Sequence, residues 1–235
     1  MKEIILDAPG KNALSSDLIQ RVRQALREAA GQPVLLTGAG DAFSAGLNLK
    51  EVRAFTLDSA REFLAQLDAL IQELYHYPGP TVALVNGHAI AGGCVATLAC
   101  DHRVMKSTSG ARIGLNETAI GLPLPPVVAR LARARLPLRC REQVVLGALL
   151  YDAETALEMG FVDEIADKAS ALAGERLASL AKHPAGAYAA NKRMLRLHDL
   201  ACTADEGELF AQQGLPLWVS EETKQMVDKL LSPRR

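Results

Sequence analysis

Cysteine is scarce and scattered in this 235-residue chain: Cys94, Cys100, Cys140 and Cys202 form no CxxC pair and no Cys/His spacing. That excludes a disulfide framework and a zinc-finger type of centre. It sets the expectation of reduced thiols, no structural metal and a cytoplasmic location. Net charge is lacking too. The 26 Lys and Arg nearly balance 27 Asp and Glu, a formal −1, so neither nucleic acid nor an anionic membrane is expected as the main partner. A small anionic ligand stays open. The opening MKEIILDAPG has too short an apolar run for a signal peptide. Only one uncharged run, from Thr81 to Cys100, approaches transmembrane length. Its β-branched start and its Asn86-Gly87 turn argue against a span. No low-complexity linker divides the chain. Its 49% hydrophobic residues suffice for a large core in one domain, or one domain with an appendage.

That uncharged run is what the chain is organised around, because its period changes twice. Thr81 to Val85 reads as a buried strand, and Asn86-Gly87 as a turn. Ala91-Gly92-Gly93 strips side chains from the backbone where a helix of small and apolar residues, Cys94 to Cys100, begins. A strand feeding such a helix start leaves N–H groups unpaired, with the positive end of a dipole behind them. Developing negative charge is stabilised there. Close packing without chemistry explains the same glycines, and the residues alone leave both open.

Ahead of it, Ile4 to Leu6 and Val34 to Thr37 read as strands, flanking a helix capped at Ser15 or Ser16 and closed by Gly31. Gly38-Ala39-Gly40 has Phe43 where a dinucleotide fingerprint needs its third glycine, so a Rossmann site is not supported. Asn48 with Glu51 predicts a capping box opening a helix at Leu49, and Ser59 with Glu62 another, opening a helix to Tyr75 that Pro78-Gly79-Pro80 ends. Beyond it, His102 to Met105 reads as a strand, Ser107 to Gly110 as a loop, and Ala111 to Glu117 as extended. Pro123, Pro125 and Pro126 precede a helix whose Arg130, Arg133 and Arg135 read as a solvated face. Phe161 to Ile165 is the last expected strand. Helices near 168–182, 184–198, 204–213 and 221–231 follow, the last capped by Ser220 with Pro233 beyond it.

Asn12-Ala13-Leu14, FSAGLNLKE at 43–51, VNGHAIAGG at 85–93, Cys100-Asp101, IGLNETAIGLPLP at 113–125 and AETALEMGFVDEI at 153–165 resemble the successive signatures of the crotonase (enoyl-CoA hydratase/isomerase) superfamily, most closely its Δ3,Δ2-enoyl-CoA isomerases. The resemblance implies an α/β fold, a spiral of repeated ββα units over 1–165 with a C-terminal helical trimerisation or lid region over 166–235. It further implies an acyl-CoA thioester as ligand, homotrimers or dimers of trimers, and no cofactor, since coenzyme A arrives as part of the substrate. By position, an oxyanion hole of two backbone N–H groups falls on Leu47 and Gly92, and the catalytic carboxylate on Glu117. Ala45, Val95 and Leu122 are the expected substrate contacts. Val95 also stands where the family hydratases carry a further glutamate, Asn48 where Asp is usual, and Asp7 where Asn is usual.

A carboxylate among Ile113, Leu115, Ala119 and Ile120 has a raised pKa and is a better base at neutral pH. One such base beneath an enolate-stabilising hole suffices to move a proton from C2 to C4 of a 3-enoyl thioester. Hydration uses a second group to hold the water, which Val95 cannot be. His88 reads as a hydrogen-bonded turn residue, Cys94 as a packed thiol without a base, and Ser44 lacks the elbow of a serine hydrolase. Lys11, Lys50 and Lys192 are candidates for CoA contacts, with a solvated surface the simpler alternative for Lys50 and Lys192. Three functions remain: a single-base isomerase, another crotonase reaction on a CoA thioester, and an acyl-CoA-binding protein without turnover.

Overall fold

The computed structural model describes residues 1–107 and 110–232. The expected loop at Ser107 to Gly110 and the expected stop at Pro233 therefore fall partly or wholly outside the described residues. Among the described residues, eight strands form two parallel sheets: β1 (Lys2–Leu6), β2 (Val34–Gly38), β3 (Ala42–Ser44), β4 (Thr81–Val85), β5 (His88–Ile90), β6 (His102–Lys106), β7 (Ile113–Gly114) and β8 (Glu164–Ala166). The larger sheet runs β1-β2-β4-β6-β8 and the smaller β3-β5-β7. The three repeats from β2 to β7 each give one strand to the large sheet, one to the small sheet, and then helix, while β1 and β8 form the edges of the large sheet. That is the ββα spiral.

Strands β2 and β4 are buried at every residue, as expected for a parallel sheet covered on both faces. Leu36, Ala83, Val85 and Met105 face the main core. Leu35, Val82, Leu84 and Val104 face the other way, onto Ala169, Ala173 and Leu177 of helix Ala169–Leu180. Register is tight through the middle: Leu36 lies beside Ala83 and Ala83 beside Arg103. The helix from Gly92 to Ala99 is wholly buried. No helix among the described residues is long and apolar enough to cross a membrane.

Several expectations need correction. Helix Leu57–Tyr75 is capped by Thr56, with Ser59 at the third position of the box rather than at the cap. Asn48 does cap helix Leu49–Arg53, accepting from Lys50 N, but Glu51 turns its carboxylate to Ser16 N and Oγ, at 3.1 Å each. Of the extended run before Glu117 only Ile113–Gly114 pairs, because Glu117 already opens a 3₁₀ turn, Thr118–Ile120. Phe161 and Val162 are core residues whose N–H groups return to Ala156 O, so pairing resumes only at Glu164. Helix Ala204–Leu209 runs into a π turn, Phe210–Gly214, where Gly214 packs on the Phe210 ring and Pro216 removes the next donor.

Three basic side chains placed on solvated surfaces are structural instead. Arg135 is half-buried and donates to Leu98 O and Cys100 O at 3.0 Å, Arg130 pairs with Glu206, and only Arg133 of the three is exposed. Lys192 is buried, its Nζ 2.7 Å from Asp101 Oδ1 and 3.1 Å from Gly79 O. Burial holds its ammonium down to about 8 against the pull of Asp101. Arg196 and Tyr188 reach the same carboxylate at 2.9 and 2.7 Å, and Thr81 N–H at 2.9 Å. Asp101 thereby ties helix Ala185–Arg196 to the start of β4.

Candidate active site

The carboxyl ends of the three small-sheet strands lie side by side, and each leads into one of the residues that the sequence singles out. Leu47 follows β3 by three residues, Gly92 follows β5 by two, and Glu117 follows β7 by three. Ligands gather at the carboxyl ends of parallel strands because loops and helix starts converge there.

Leu47 owes its free N–H to a parallel bridge. Leu14 donates to Gly46 O at 2.7 Å and accepts from Asn48 N at 3.0 Å, so both bonds go to the neighbours of Leu47. In a parallel ladder that pattern directs the intervening residue's own N–H to the opposite side. Gly92 is the first residue of its helix, where an N–H has no intrahelical acceptor. Neither N–H has a partner among the described residues. Ahead of it, Ala91 is held at φ 49° and ψ −118°, a sparsely populated conformation for a residue with a Cβ. Its N–H is fixed on Gly114 O at 2.9 Å.

The two loops touch. A Cβ built on Gly92 would stand 2.9 Å from Leu47 Cδ2, one on Gly46 2.7 Å from Ile90 O, and one on Gly93 2.6 Å from Ser44 O. The glycines are what permit the approach.

Glu117 is 5% exposed. Its Oε2 is buried with no hydrogen-bond partner, and burial pushes its carboxyl up to about 7. Its backbone is fixed by Ile120 N and Leu122 N, both bonded to Glu117 O at 3.0 Å. Ala45, Leu47, Leu49, Ile90, Ala91 and Asn116 line a cavity of ≈ 370 Å³ with Glu117, and Ile120, Leu122, Leu150 and Leu230 complete it. Among these lining residues Glu117 is the only ionisable one.

Ala45 and Leu122 line the cavity; Val95 does not. Its N–H is bonded to Ala91 O one helical turn back, and its side chain is packed in the main core at 2% exposure. Lys50 is exposed at a smaller adjoining cleft with Pro9, Gly10 and Leu231. Lys11 pairs with Asp41 at 2.7 Å on the surface, and Lys192, bonded to Gly79 and Asp101 at the amino ends of β4 and β6, is not in the cavity lining. His88 Nδ1 accepts Arg112 N–H at 3.0 Å, a structural bond. Cys94 is fully buried, its thiol driven well above the usual range by burial.

Asn116 and Leu230 were not among the residues that the sequence singled out. Asn116 Oδ1 is buried, unpartnered and in the cavity wall; its place beside Glu117 was the available signal. Leu230 arrives from helix Glu221–Leu231, and no sequence pattern announces that meeting.

The sequence profile of the enoyl-CoA hydratase/isomerase family matches residues 1–209. A putative enoyl-CoA hydratase of Thermus thermophilus is 37% identical over 173 residues, 71% of this chain and 67% of that protein. Among solved structures, human mitochondrial Δ3-Δ2-enoyl-CoA isomerase superposes with a TM-score of 0.89 over 97% of this chain and 92% of that one, at 23% identity, a likeness of fold. A probable enoyl-CoA hydratase of Mycobacterium tuberculosis does so at 0.81 over 90% and 91%, at 30% identity. The chain spans about two thirds of the length of the curated relatives it matches. Parallel sheets, site placement and these matches together make the chain a member of the enoyl-CoA hydratase/isomerase family.

Proposed function

We propose that the chain is a Δ3,Δ2-enoyl-CoA isomerase, and the observation that carries this is the lone ionisable group of the cavity, Glu117, with an orphaned carboxylate oxygen among apolar walls. In this scheme the thioester oxygen lies between the N–H groups of Leu47 and Gly92. Glu117 takes the proton from C2. The C2–H electron pair becomes the C1=C2 bond, and the thioester oxygen carries the negative charge. When C1=O reforms, the C1=C2 pair shifts to C2=C3, and the C3=C4 pair takes the proton back from Glu117 at C4. No atom is gained or lost, and no water enters. Two donors aimed at the oxygen are worth about 3–4 kcal/mol each where such donors have been removed. A base that titrates near neutrality can both take and return a proton. Ala45 and Leu122 serve as apolar walls along the acyl chain. Coenzyme A comes as part of the substrate, so no separate cofactor enters the scheme. Association into trimers or pairs of trimers belongs to the same proposal; exposed Met194, Leu195 and Leu197 give helix Ala185–Arg196 and its end an apolar face to bury.

Hydration of 2-enoyl thioesters is the second reading, favoured by the name of the 37% identical relative. The test measures both reactions with one preparation on matched 3-enoyl- and 2-enoyl-CoAs, products read by mass and NMR. Isomerisation is expected to exceed hydration by at least ~10²-fold, about 2.7 kcal/mol in barrier. Hydration as fast as isomerisation would transfer the assignment to the second reading. Thioester binding with neither reaction would leave another crotonase reaction on the thioester, C–C bond-forming or hydrolytic, or an acyl-CoA-binding protein without turnover.

A further inference from the structure

The Asn12-Ala13-Leu14 segment has no part in the scheme above, yet it lies beneath the loop that carries Leu47. Gly10, Lys11 and Asn12 are all left-handed, at φ 75°, 57° and 60°. Asparagine tolerates this region better than other side chains with a Cβ, because its amide can bond locally. Here the amide reaches further. Asn12 is 3% exposed, and its Nδ2 donates to Ala39 O and to Ala42 O, each at 2.9 Å. Its own carbonyl accepts Ser44 Oγ–H at 2.7 Å, and that same Oγ accepts Gly46 N–H at 3.2 Å. Lys11 O accepts Ala45 N–H at 2.9 Å, and Leu14 holds Gly46 O and Asn48 N–H.

Residues 44, 45, 46 and 48 are therefore each bonded to 11–14 or to the Ser44 bridge built on it. Leu47 alone keeps its N–H free. A donor loop needs such a frame, since an N–H acts on developing charge only if it is already aimed.

We propose that Asn12 is a positioning residue for the Leu47 N–H: its amide fixes the 39–43 turn, and its carbonyl, through Ser44, fixes the loop that follows. This rests on the assignment of Leu47 and Gly92 as the donors to the thioester oxygen. Removal of the Asn12 amide should leave the loop closed over the cavity but the donor misaimed, which affects the charged state more than the ground state.

The test uses Asn12→Asp, isosteric but without the donors, and Asn12→Gly, which adopts φ near 60° without strain and so guards against a variant that fails to fold. The probe is hexanoyl-CoA labelled with ¹³C at the carbonyl, whose stretching frequency is read by isotope-edited infrared spectroscopy free and bound. Wild type should lower that frequency on binding, and Glu117→Gln should lower it equally while losing turnover. In a folded Asn12 variant we expect the shift reduced by at least half, kcat down about 10–100-fold and KM within about threefold. A merely structural asparagine would be rescued by glycine and would not move the carbonyl. A full wild-type shift and kcat in folded Asn12→Gly would overturn this inference alone. No shift in wild type would overturn the oxyanion assignment and the inference with it.

Discussion

At the scale of single residues, Glu117 ties stability to pH with a definite sign. Below about pH 4.5 its carboxyl is protonated in both folded and unfolded chains and contributes nothing to the pH dependence. Between 4.5 and about 7 the unfolded chain ionises while the buried group resists, so the folded state holds more protons and stability falls as pH rises. Above about 7 the penalty is complete, about 3 kcal/mol at 1.4 kcal/mol per unit. Glu117→Gln should therefore match wild type in urea unfolding at pH 4, exceed it by up to about that amount at pH 8, and have no turnover. An equal or lower stability at pH 8 would contradict the buried ionisable state. In the same scheme kcat/KM should rise on an acid limb centred near 7. Asp68 is also pushed up to about 7 by burial, but it lies outside the cavity. Asp68→Asn should leave that limb in place, and a limb that vanished with it would assign the titration to the wrong carboxylate.

Elements are held together here by a few buried contacts, and these decide what breaks. Asp101 answers Lys192 and Arg196 in a nearly dry site. Asp101→Asn keeps the volume and leaves two cations uncompensated, which should cost about 3–5 kcal/mol in the denaturant-derived stability. A loss below 1 kcal/mol would mean that water already reaches the pair. Gly93→Ala sets a methyl within 2.8 Å of Ser44 Cβ and closer still to its carbonyl oxygen. It should destabilise by about 1–3 kcal/mol, and thermal unfolding beside an activity assay would show whether both fall together. The same elements show what the residues alone could convey. Continuous apolar runs announced β2 and β4, and Gly-rich segments followed by helix-forming residues announced the loops at 44–48 and 91–93, because period and turn chemistry are local. Lys192 was unreadable: only the fold brings Asp101 close enough to pull a lysine inside. The left-handed Lys11 and Asn12 were unreadable for a related reason, since their conformation is imposed by bonds to residues about 30 positions away. Val95 is an intermediate case, with its apolar character legible and its direction, into the core rather than the cavity, not.

At the scale of the whole molecule, protection should be uneven. β2, β4 and helix Gly92–Ala99 are buried throughout, whereas helix Glu221–Leu231 buries only Thr223 and Val227. Hydrogen exchange should find the first three opening only with global unfolding and the last opening locally. Equal protection in all four would show that the last helix is held by more than these contacts. That helix is joined to helix Leu49–Arg53 by the Arg53–Asp228 ion pair, across 175 positions of sequence, and it brings Leu230 to the cavity wall. Ribosomes add roughly 5–20 residues per second, so some 9–35 s separate the making of the two partners. Through that interval Leu47 and Leu49, joined partway by Leu122, stand at an unroofed cleft. A chaperone that recognises short apolar segments has its opening during that wait.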